Sequence, residues 1–523
     1  MEFKMNVSQQ IPAPDNYSEE RNRYSVLLPL CAAGIIIPIV FTGPAIATPM
    51  IALELGGSSI ELGGIVNAYN VAFGSCVMAG GTLADRFGRK RCFLSGLILF
   101  FITSLLIGFA PDITSLNILR GIEGIAGALT LTSSSALIAQ EFDEHLRLRA
   151  FSFLGTSFGI GLAFGPMLVG MMIANFGWRS LFFFIALVSL IVLLFSAKKV
   201  NESKDPDAKN IDWPGIILFT LALSTLTLGI VFAPERGWTD IYIIGLFLAS
   251  ALFLVIFVIA EVKSRYAMLD LSLFRYPRFI GVQLLPISTG FCFVALLVSL
   301  PIWFIGIQGF DEGRVGLAIL PLTAPMLVVP FIAGYLSKYV SPGLICSVGL
   351  LVAAVGGCWL AFSLQVNGEI NSLVGPLLMI GIGSGLPWGL MDGLSMSVVP
   401  KERAGMAAGI FTTMRVSGEA LAIAIIGALL AAQTSAILVS SKADHAFSNI
   451  VSSEWGGKIA SGQMSSILES VADADRTSLG HWLATIYQSS FGSILLIIAA
   501  LTALSALACA LLLRREKQNA IRN

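Results

Sequence analysis

Fourteen apolar segments follow one another along the chain, separated by mostly short polar segments. Each is roughly 20 residues or longer with few charges, the length that an α-helix needs to cross the hydrocarbon core of a bilayer. Because lipid cannot satisfy unpaired backbone groups, the pattern predicts an all-α polytopic membrane protein. We number the segments as spans 1 to 14: 27–50, 61–83, 92–110, 115–139, 150–173, 179–197, 213–233, 240–262, 279–307, 314–336, 343–364, 373–398, 404–432 and 485–513.

The composition supports membrane insertion. Of the 523 residues, 56% are hydrophobic and 12% are charged, whereas a soluble domain carries about 25% charged residues. The net charge is zero, which gives no sign of a nucleic-acid partner. The seven cysteines lie in or beside apolar segments and form no Cys-x-x-Cys pair, so we expect no disulfide, metal site or cofactor.

The basic residues orient the chain. An even number of spans puts both termini on one side, and that side holds 24 of the 32 Lys and Arg. Two more, Arg120 and Arg415, lie inside spans. The positive-inside rule therefore predicts that both termini are cytoplasmic. The remaining basic residues lie in outward segments: Arg179, Arg236, Arg314, Lys442, Lys458 and Arg476.

Four polar segments complete the organisation. Residues 1–26 form a polar N-terminal tail that we expect to be retained, and 514–523 form a cytoplasmic C-terminal tail. Residues 198–212 are a charged cytoplasmic linker. Residues 433–484 form a long outward loop, which we interpret as a partly helical surface insertion, with a functional lid as the alternative.

The loop between spans 2 and 3 carries the most specific motif. It contains Gly81, Asp85, Arg86, Gly88 and Arg89 within the stretch GTLADRFGRKR, which resembles the signature loop of the major facilitator superfamily. Glycine allows the backbone to turn tightly. The resemblance implies that Asp85 takes part in a charged latch that opens when two halves of the molecule rock.

Span 5 carries a second motif, GIGLAFGPMLVG. It resembles the antiporter motif of the same superfamily, with Val169 where a glycine is usual. Proline kinks a helix and glycine permits close packing, so a tight helix pair is the alternative explanation. Its defining residues are Gly161, Gly165, Pro166 and Gly170.

Spans 7 and 8, with the flanking DWPG, ERGW and LSLFR stretches, resemble the inserted helix pair of the fourteen-span drug:proton antiporter branch. This resemblance covers nearly the whole chain. It implies two pseudo-symmetric six-helix bundles, 27–197 and 279–513, with an inserted pair at 213–262. By this mapping spans 1, 4, 9 and 12 line a central cavity.

Ionisable residues within spans are functional candidates, because charge is costly in lipid. Arg120 and Glu123 on span 4 are spaced as a helical pair, and we leave open whether this pair is structural or couples protons. Arg415 and Glu419 on span 13 have i, i+4 spacing, so we expect a structural pair, with proton coupling by Glu419 as the alternative.

Asp392 on span 12 has no basic residue within a turn of it, which makes it our preferred proton- or substrate-binding acid. Trp388, one turn earlier, offers a stacking face for a cationic or aromatic substrate. One position departs from the branch: Val40 stands where many members carry an acid in span 1. That departure weakens the case for export of cationic drugs.

Together these features predict a non-enzymatic, monomeric, proton-coupled exporter of small amphipathic molecules in a bacterial-type inner membrane. It would work by alternating access around a site near the membrane midplane. Its partners would be a small-molecule substrate, protons and the lipid bilayer. Two alternatives remain: a dedicated exporter of one endogenous metabolite or siderophore, and a non-transporting membrane sensor or scaffold.

Overall fold

Helices make up every regular element among the described residues of the computed structural model, which are 14–142, 144–203, 212–264, 271–366, 368–399, 404–440, 455–469, 471 and 473–514. Fourteen of them are long and apolar enough to cross a membrane, which confirms the predicted number and class. Spans 1 to 7 are Val26–Leu55, Ile60–Phe87, Arg89–Gly108, Ile113–Glu141, Phe153–Phe176, Arg179–Lys199 and Trp213–Pro234. Spans 8 to 14 are Ile241–Lys263, Pro277–Gly306, Glu312–Leu336, Pro342–Ser363, Asn371–Ser397, Gly409–Ser440 and Asp475–Leu512.

Several helices continue beyond the apolar segments that predicted them. The first runs from Pro14 to Leu55, and those of spans 13 and 14 cover Ala404–Ser440 and Asp473–Leu512. Within the predicted outward loop, two short helices also form, Trp455–Ala460 and Met464–Glu469. Apolar length marks only the part of a helix suited to lipid, since backbone hydrogen bonds can extend the helix into polar sequence.

The packing repeats between the two halves of the molecule. In spans 1–6, span 1 packs on span 5, span 2 on span 4, and span 3 on spans 4 and 6. In spans 9–14 the equivalent pairs are 9 with 13, 10 with 12, and 11 with 12 and 14. This pattern is the pseudo-symmetry that the sequence predicted. The inserted helices pack on each other, and span 7 also contacts spans 2 and 13.

The most extensive contacts between the halves, among the described residues, are those of span 5 with span 10, span 2 with span 13, and span 1 with span 9. The Thr323 hydroxyl donates to the Ala163 carbonyl at 2.8 Å, and the Ser417 hydroxyl donates to the Gly74 carbonyl at 3.1 Å. The two halves are therefore held by close backbone packing and by polar contacts that can separate without leaving buried charges.

Spans 9, 10 and 12 have irregular backbones. Span 9 joins α-helices Pro277–Thr289 and Ala295–Gly306 through a π-helical turn, Gly290–Val294. Span 10 joins Glu312–Thr323 and Val329–Leu336 through a 3-10 turn, Ala324–Leu327. Span 12 consists of Asn371–Trp388 and Met391–Ser397. Pro321, Pro325 and Pro387 lie near two of these breaks and lack the N–H that a regular helix needs.

Because the number of spans is even, the start of span 1 and the end of span 14 lie at the same side of the membrane. We call this the terminal side and the opposite side the far side.

Candidate functional site

A narrow cavity lies between the two halves of the molecule. Its volume is about 10 Å³, which is room for about one water molecule. Its walls come from spans 1, 2, 4, 5, 9, 12 and 13, so the four spans predicted to line it all contribute. The lining residues are Ile37, Pro38, Phe41, Phe73, Leu131, Phe158, Leu162, Val294, Trp388, Arg415, Val416 and Glu419.

Glu419 is the only carboxylate among the residues that line this cavity. The residue is buried, and its Oε1 atom has no hydrogen-bond partner among the described residues. Burying a carboxylate is costly unless its oxygens are paired. An ion at this position therefore favours the arrival of a proton or of a positively charged group.

Close packing against span 9 fixes the position of Glu419. The π-helical turn of span 9 begins at Gly290, where an added methyl group would lie 3.3 Å from the Glu419 Cα. One turn earlier on span 9, Ile287 contacts Gly418. π-helical turns within α-helices occur frequently at functional sites, and this turn also contributes Val294 to the cavity wall.

Arg415 forms an ion pair with Asp392 of span 12. Its Nη1 atom lies 3.2 Å from Oδ1 and 3.3 Å from Oδ2 of Asp392. The Asp392 side chain is 57% exposed and that of Arg415 is 14% exposed. The expectation that Arg415 pairs with Glu419 is thus corrected: the basic partner goes to the neighbouring span. Asp392 therefore has a basic partner, so the reason for preferring it as the proton- or substrate-binding acid no longer holds.

The break in span 12 explains this pairing. Its first helix ends at Trp388, and Asp392 lies in the first turn of the second helix. Asp392 does not line the central cavity, whereas Trp388 does. The Trp388 ring also contacts the edge of Phe293 at a centroid distance of 6.1 Å. The structure therefore places Glu419, Arg415 and Trp388 together and Asp392 beside them, towards the terminal side.

Arg120 and Glu123 form a second, fully buried charged pair. Arg120 Nη1 lies 2.5 Å from Glu123 Oε2, and the Ser104 hydroxyl donates to Glu123 Oε1 at 2.6 Å. Arg120 also donates to the Ile65 and Val40 carbonyls at 2.8 and 3.2 Å. Its guanidinium lies 4.5 Å from the centre of the Tyr69 ring. These contacts join spans 1 to 4, which supports a structural role for the pair.

The charged side chains of the loop between spans 2 and 3 bond to each other and to span 4. Asp85 Oδ1 accepts hydrogen bonds from Nε and Nη2 of Arg89 at 3.0 and 2.9 Å, and Arg89 Nη1 donates to Gln140 of span 4 at 2.7 Å. These contacts stay within the first half of the molecule. Arg86 lies over the Phe87 ring at 5.6 Å. Gly81 has open space around it, so packing does not require glycine there.

Glu202, in the polar segment after span 6, is not among the site residues predicted from the sequence. It accepts from the backbone N–H groups of Lys90 and Arg91 at 3.1 and 3.2 Å, at the start of span 3. Gly88 has a φ of 114°, and an added methyl group would lie 2.5 Å from Glu202 Oε1. This contact crosses more than 100 residues of sequence, so local spacing gave no signal of it.

The span 5 motif packs against span 1 of its own half and against span 10 of the other half. A methyl group added at Gly161 would collide with the Ile35 carbonyl of span 1, and one at Gly165 would lie 3.2 Å from Ile39. At Gly170 the collision is with the Glu312 carbonyl of span 10. The helix remains continuous through Pro166. Small residues here therefore permit close packing within one half and between halves.

Comparison with known proteins places these features in context. Residues 30–423 match the family model of the Major Facilitator Superfamily. The Multidrug resistance protein Stp of Mycobacterium tuberculosis is 31% identical over 417 residues, covering 79% of this chain and 77% of that protein. The Tetracenomycin C resistance and export protein of Streptomyces glaucescens is 27% identical over 413 residues, 78% of this chain and 76% of that protein.

Solved structures agree in fold. A bacterial homologue of the human lysosomal transporter Spinster, in an inward-facing and unoccupied conformation, aligns with a TM-score of 0.64. The alignment covers 95% of this chain and 97% of that chain at 16% identity. At that identity the likeness concerns the fold.

Proposed function

Since the chain belongs to the Major Facilitator Superfamily, and is thus a multi-pass membrane transporter of small molecules and not an enzyme, we propose that it is a proton-coupled exporter of amphipathic compounds. It works as a monomer in a bacterial inner membrane, with both termini in the cytoplasm. The observation that carries this proposal is Glu419, a buried carboxylate that lines the cavity between the halves and has one oxygen without a partner among the described residues.

Alternating access follows from the packing between the halves. The bundles 27–197 and 279–513 rock as units, and the contacts that change are those of spans 5 with 10, 2 with 13, and 1 with 9. Only hydroxyl-to-carbonyl hydrogen bonds and van der Waals contacts need to break at Thr323 and Ser417. Such contacts are weak enough individually for both states to be populated.

Coupling requires that a proton and the substrate compete for binding at one ionisable group. Glu419 supplies that group, because it lines the cavity together with Trp388 and its Oε1 atom has no partner in the part of the chain that the structure describes. Arg415, one turn away on the same helix, connects the cavity with the exposed Asp392. In this scheme Asp392 holds Arg415 away from Glu419, which keeps the buried carboxylate available to a proton.

The remaining cavity wall indicates the substrate class. Phe41, Phe73, Phe158 and Trp388 surround a site that contains one carboxylate and one guanidinium. Aromatic faces favour flat apolar or cationic groups. The resemblance of Stp, whose name is that of a multidrug resistance protein, supports a compound of this kind as the cargo.

The test uses purified protein in proteoliposomes with an imposed pH gradient and ethidium as the probe. Wild type and Glu419→Asp accumulate ethidium only with the gradient, whereas Glu419→Gln loses gradient-driven accumulation at least tenfold and still exchanges ethidium in its absence. Proton release on addition of ethidium to detergent-solubilised protein disappears in the same variant. Gradient-driven transport by Glu419→Gln at the wild-type rate would contradict the assignment of Glu419.

A second candidate function is export of a single natural product. It is favoured by the relative named for tetracenomycin C export and by Val40 at the position where many members of the branch carry an acid. This candidate predicts that cells lacking the protein retain one compound and gain no sensitivity to ethidium or other cationic dyes. Comparing metabolites in the medium of deletion and wild-type cells separates the two candidates.

A further inference from the structure

A second cavity, separate from the central one, opens on the side of the protein between spans 2, 4 and 7. Its volume is about 490 Å³, far more than that of the central cavity. The two cavities share no lining residue. This lateral groove is lined by residues of spans 2, 4 and 7, among them Glu61, Asn67, Val71, Asn117, Ser224 and Leu228.

The lateral groove begins at the far side and extends past the middle of the membrane. It runs from Ile60, where span 2 begins, to Cys76, a distance of about 24 Å along the helix at 1.5 Å per residue. Its deep end is closed where span 7 meets span 2. There the Ser75 and Ser224 hydroxyls lie 3.3 Å apart, and the Thr220 hydroxyl donates to the Ser75 carbonyl at 3.1 Å.

Polar groups are concentrated at the outer end of the lateral groove. Asn117 Nδ2 donates to the Glu61 carbonyl at 2.7 Å, while the buried Asn117 Oδ1 has no partner among the described residues. Asn67 lines the groove about two turns below Glu61. The deeper walls are apolar apart from the hydroxyls that already bond each other and the Cys76 thiol: Ala68, Val71, Ala72, Ile125, Leu228 and Val231.

This profile matches a lipid, which is polar at the membrane surface and apolar below it. We propose that the lateral groove holds one glycerolipid of the far-side leaflet. A headgroup hydroxyl donates to Asn117 Oδ1, an ester carbonyl accepts from the side-chain amide of Asn67, and an acyl chain lies along the apolar walls. A cationic cargo fits less well, because the carboxylate of Glu61 already accepts hydrogen bonds from the N–H and hydroxyl of Ser58. The bound lipid fills the gap between span 7 and the first half of the molecule.

The test uses wild-type protein in nanodiscs that contain a diacyl phosphatidylglycerol with a diazirine on one acyl chain. After illumination, labelled peptides are quantified by mass spectrometry. We expect labelling of the segments around Val71 and Leu228, reduced at least fivefold by Leu228→Trp, which fills the groove. Leu248→Trp is the matched control, because Leu248 lies on span 8 at a similar depth and is 65% exposed on the outer surface.

A second comparison tests recognition of the ester region. The ether-linked analogue lacks ester carbonyls, so it should label the wild-type groove about fivefold less than the diacyl lipid, the effect of one hydrogen bond. Asn67→Leu should remove that difference. The proposal is overturned if Leu228→Trp leaves groove labelling unchanged, if ester and ether lipids label equally in the wild type, or if ethidium at transport-saturating concentration displaces the lipid.

Discussion

Glu123 and Glu419 are equally good candidates by burial, yet their surroundings differ completely. Glu123 forms an ion pair with Arg120 and accepts a hydrogen bond from Ser104. Arg120 also donates hydrogen bonds to two backbone carbonyls. Glu419 lines a cavity, its Oε1 atom has no hydrogen-bond partner among the residues described, and the nearest arginine on its helix pairs with Asp392 instead. Burial alone therefore does not distinguish the two glutamates. The unsatisfied carboxylate oxygen beside a cavity does, and it is the reason why we propose Glu419 as the coupling acid.

The two halves also differ in how regular their helices are. Span 1 remains one helix through four prolines, and span 5 through Pro166. In the second half, spans 9, 10 and 12 are interrupted by a π-helical turn, a 3-10 turn and a break. Irregular backbone at membrane depth is tolerated where it is buried in protein or lines a cavity. Of the two halves, the second therefore contributes the irregular backbone to the cavity, at the π-helical turn of span 9 and the break of span 12.

The largest effect on stability should come from breaking the satisfied pair. Glu123→Ala leaves Arg120 buried without its carboxylate, and removing one partner of a buried ion pair costs about 3–5 kcal/mol. The free energy of unfolding is measured by chemical denaturation in mild detergent. Glu419→Ala is the matched control, and we expect it to lose less than half as much. A Glu123→Ala protein of wild-type stability that no longer transports would instead assign coupling to Glu123.

A smaller effect isolates the hydroxyl that completes this pair. Ser104→Ala removes the donor to Glu123 Oε1, so we expect a loss of about 1–3 kcal/mol in unfolding free energy. Ser133, on span 4, is also fully buried, but its hydroxyl has no partner among the described residues. Ser133→Ala should therefore change stability by less than about 0.5 kcal/mol. Equal losses in the two variants would mean that packing, and not the hydrogen bond, is being measured.

The fold follows from the sequence because lipid imposes a simple rule on helix length. Fourteen apolar segments predicted the fourteen spans, each within several residues at most ends. The exceptions are instructive: the span 13 helix runs to Ser440 and the span 14 helix starts at Asp473, well inside the predicted loop. Helical hydrogen bonding is local and continues wherever nothing interrupts it. The length of an apolar segment predicts only the part of the helix that crosses the membrane.

The site was predictable in its members but not in its pairings. Charge within apolar segments identified Glu419, Arg415 and Asp392, since such residues are costly in lipid. The i, i+4 spacing suggested a pair between Arg415 and Glu419, whereas the structure pairs Arg415 with Asp392 across two helices. Which helices become neighbours, and where span 12 breaks, depends on tertiary packing. Spacing along one helix carries no information about that.

A still smaller effect tests the irregular backbone of span 9. Gly290→Ala places a methyl group 3.3 Å from the Glu419 Cα, so span 9 must shift by a few tenths of an ångström from span 13. Gly427→Ala on span 13 meets nothing within 4 Å and is the matched control. Relative to the control, Gly290→Ala should be less stable by about 1 kcal/mol. If the two variants are equally stable, close packing at the π-helical turn does not hold Glu419 in place.

The smallest change in stability should accompany the largest change in function. Glu419→Gln keeps the shape of the side chain and removes its charge, so no buried ion loses a partner and the unfolding free energy should stay within about 1 kcal/mol of wild type. Gradient-driven transport should nevertheless fall at least tenfold. Glu123→Gln, measured alongside, should show the reverse, with a large loss of stability because Arg120 loses its counter-charge. If both variants lose stability equally, both glutamates stabilise the fold by pairing with an arginine. The proposed difference between Glu123 and Glu419 would then be wrong.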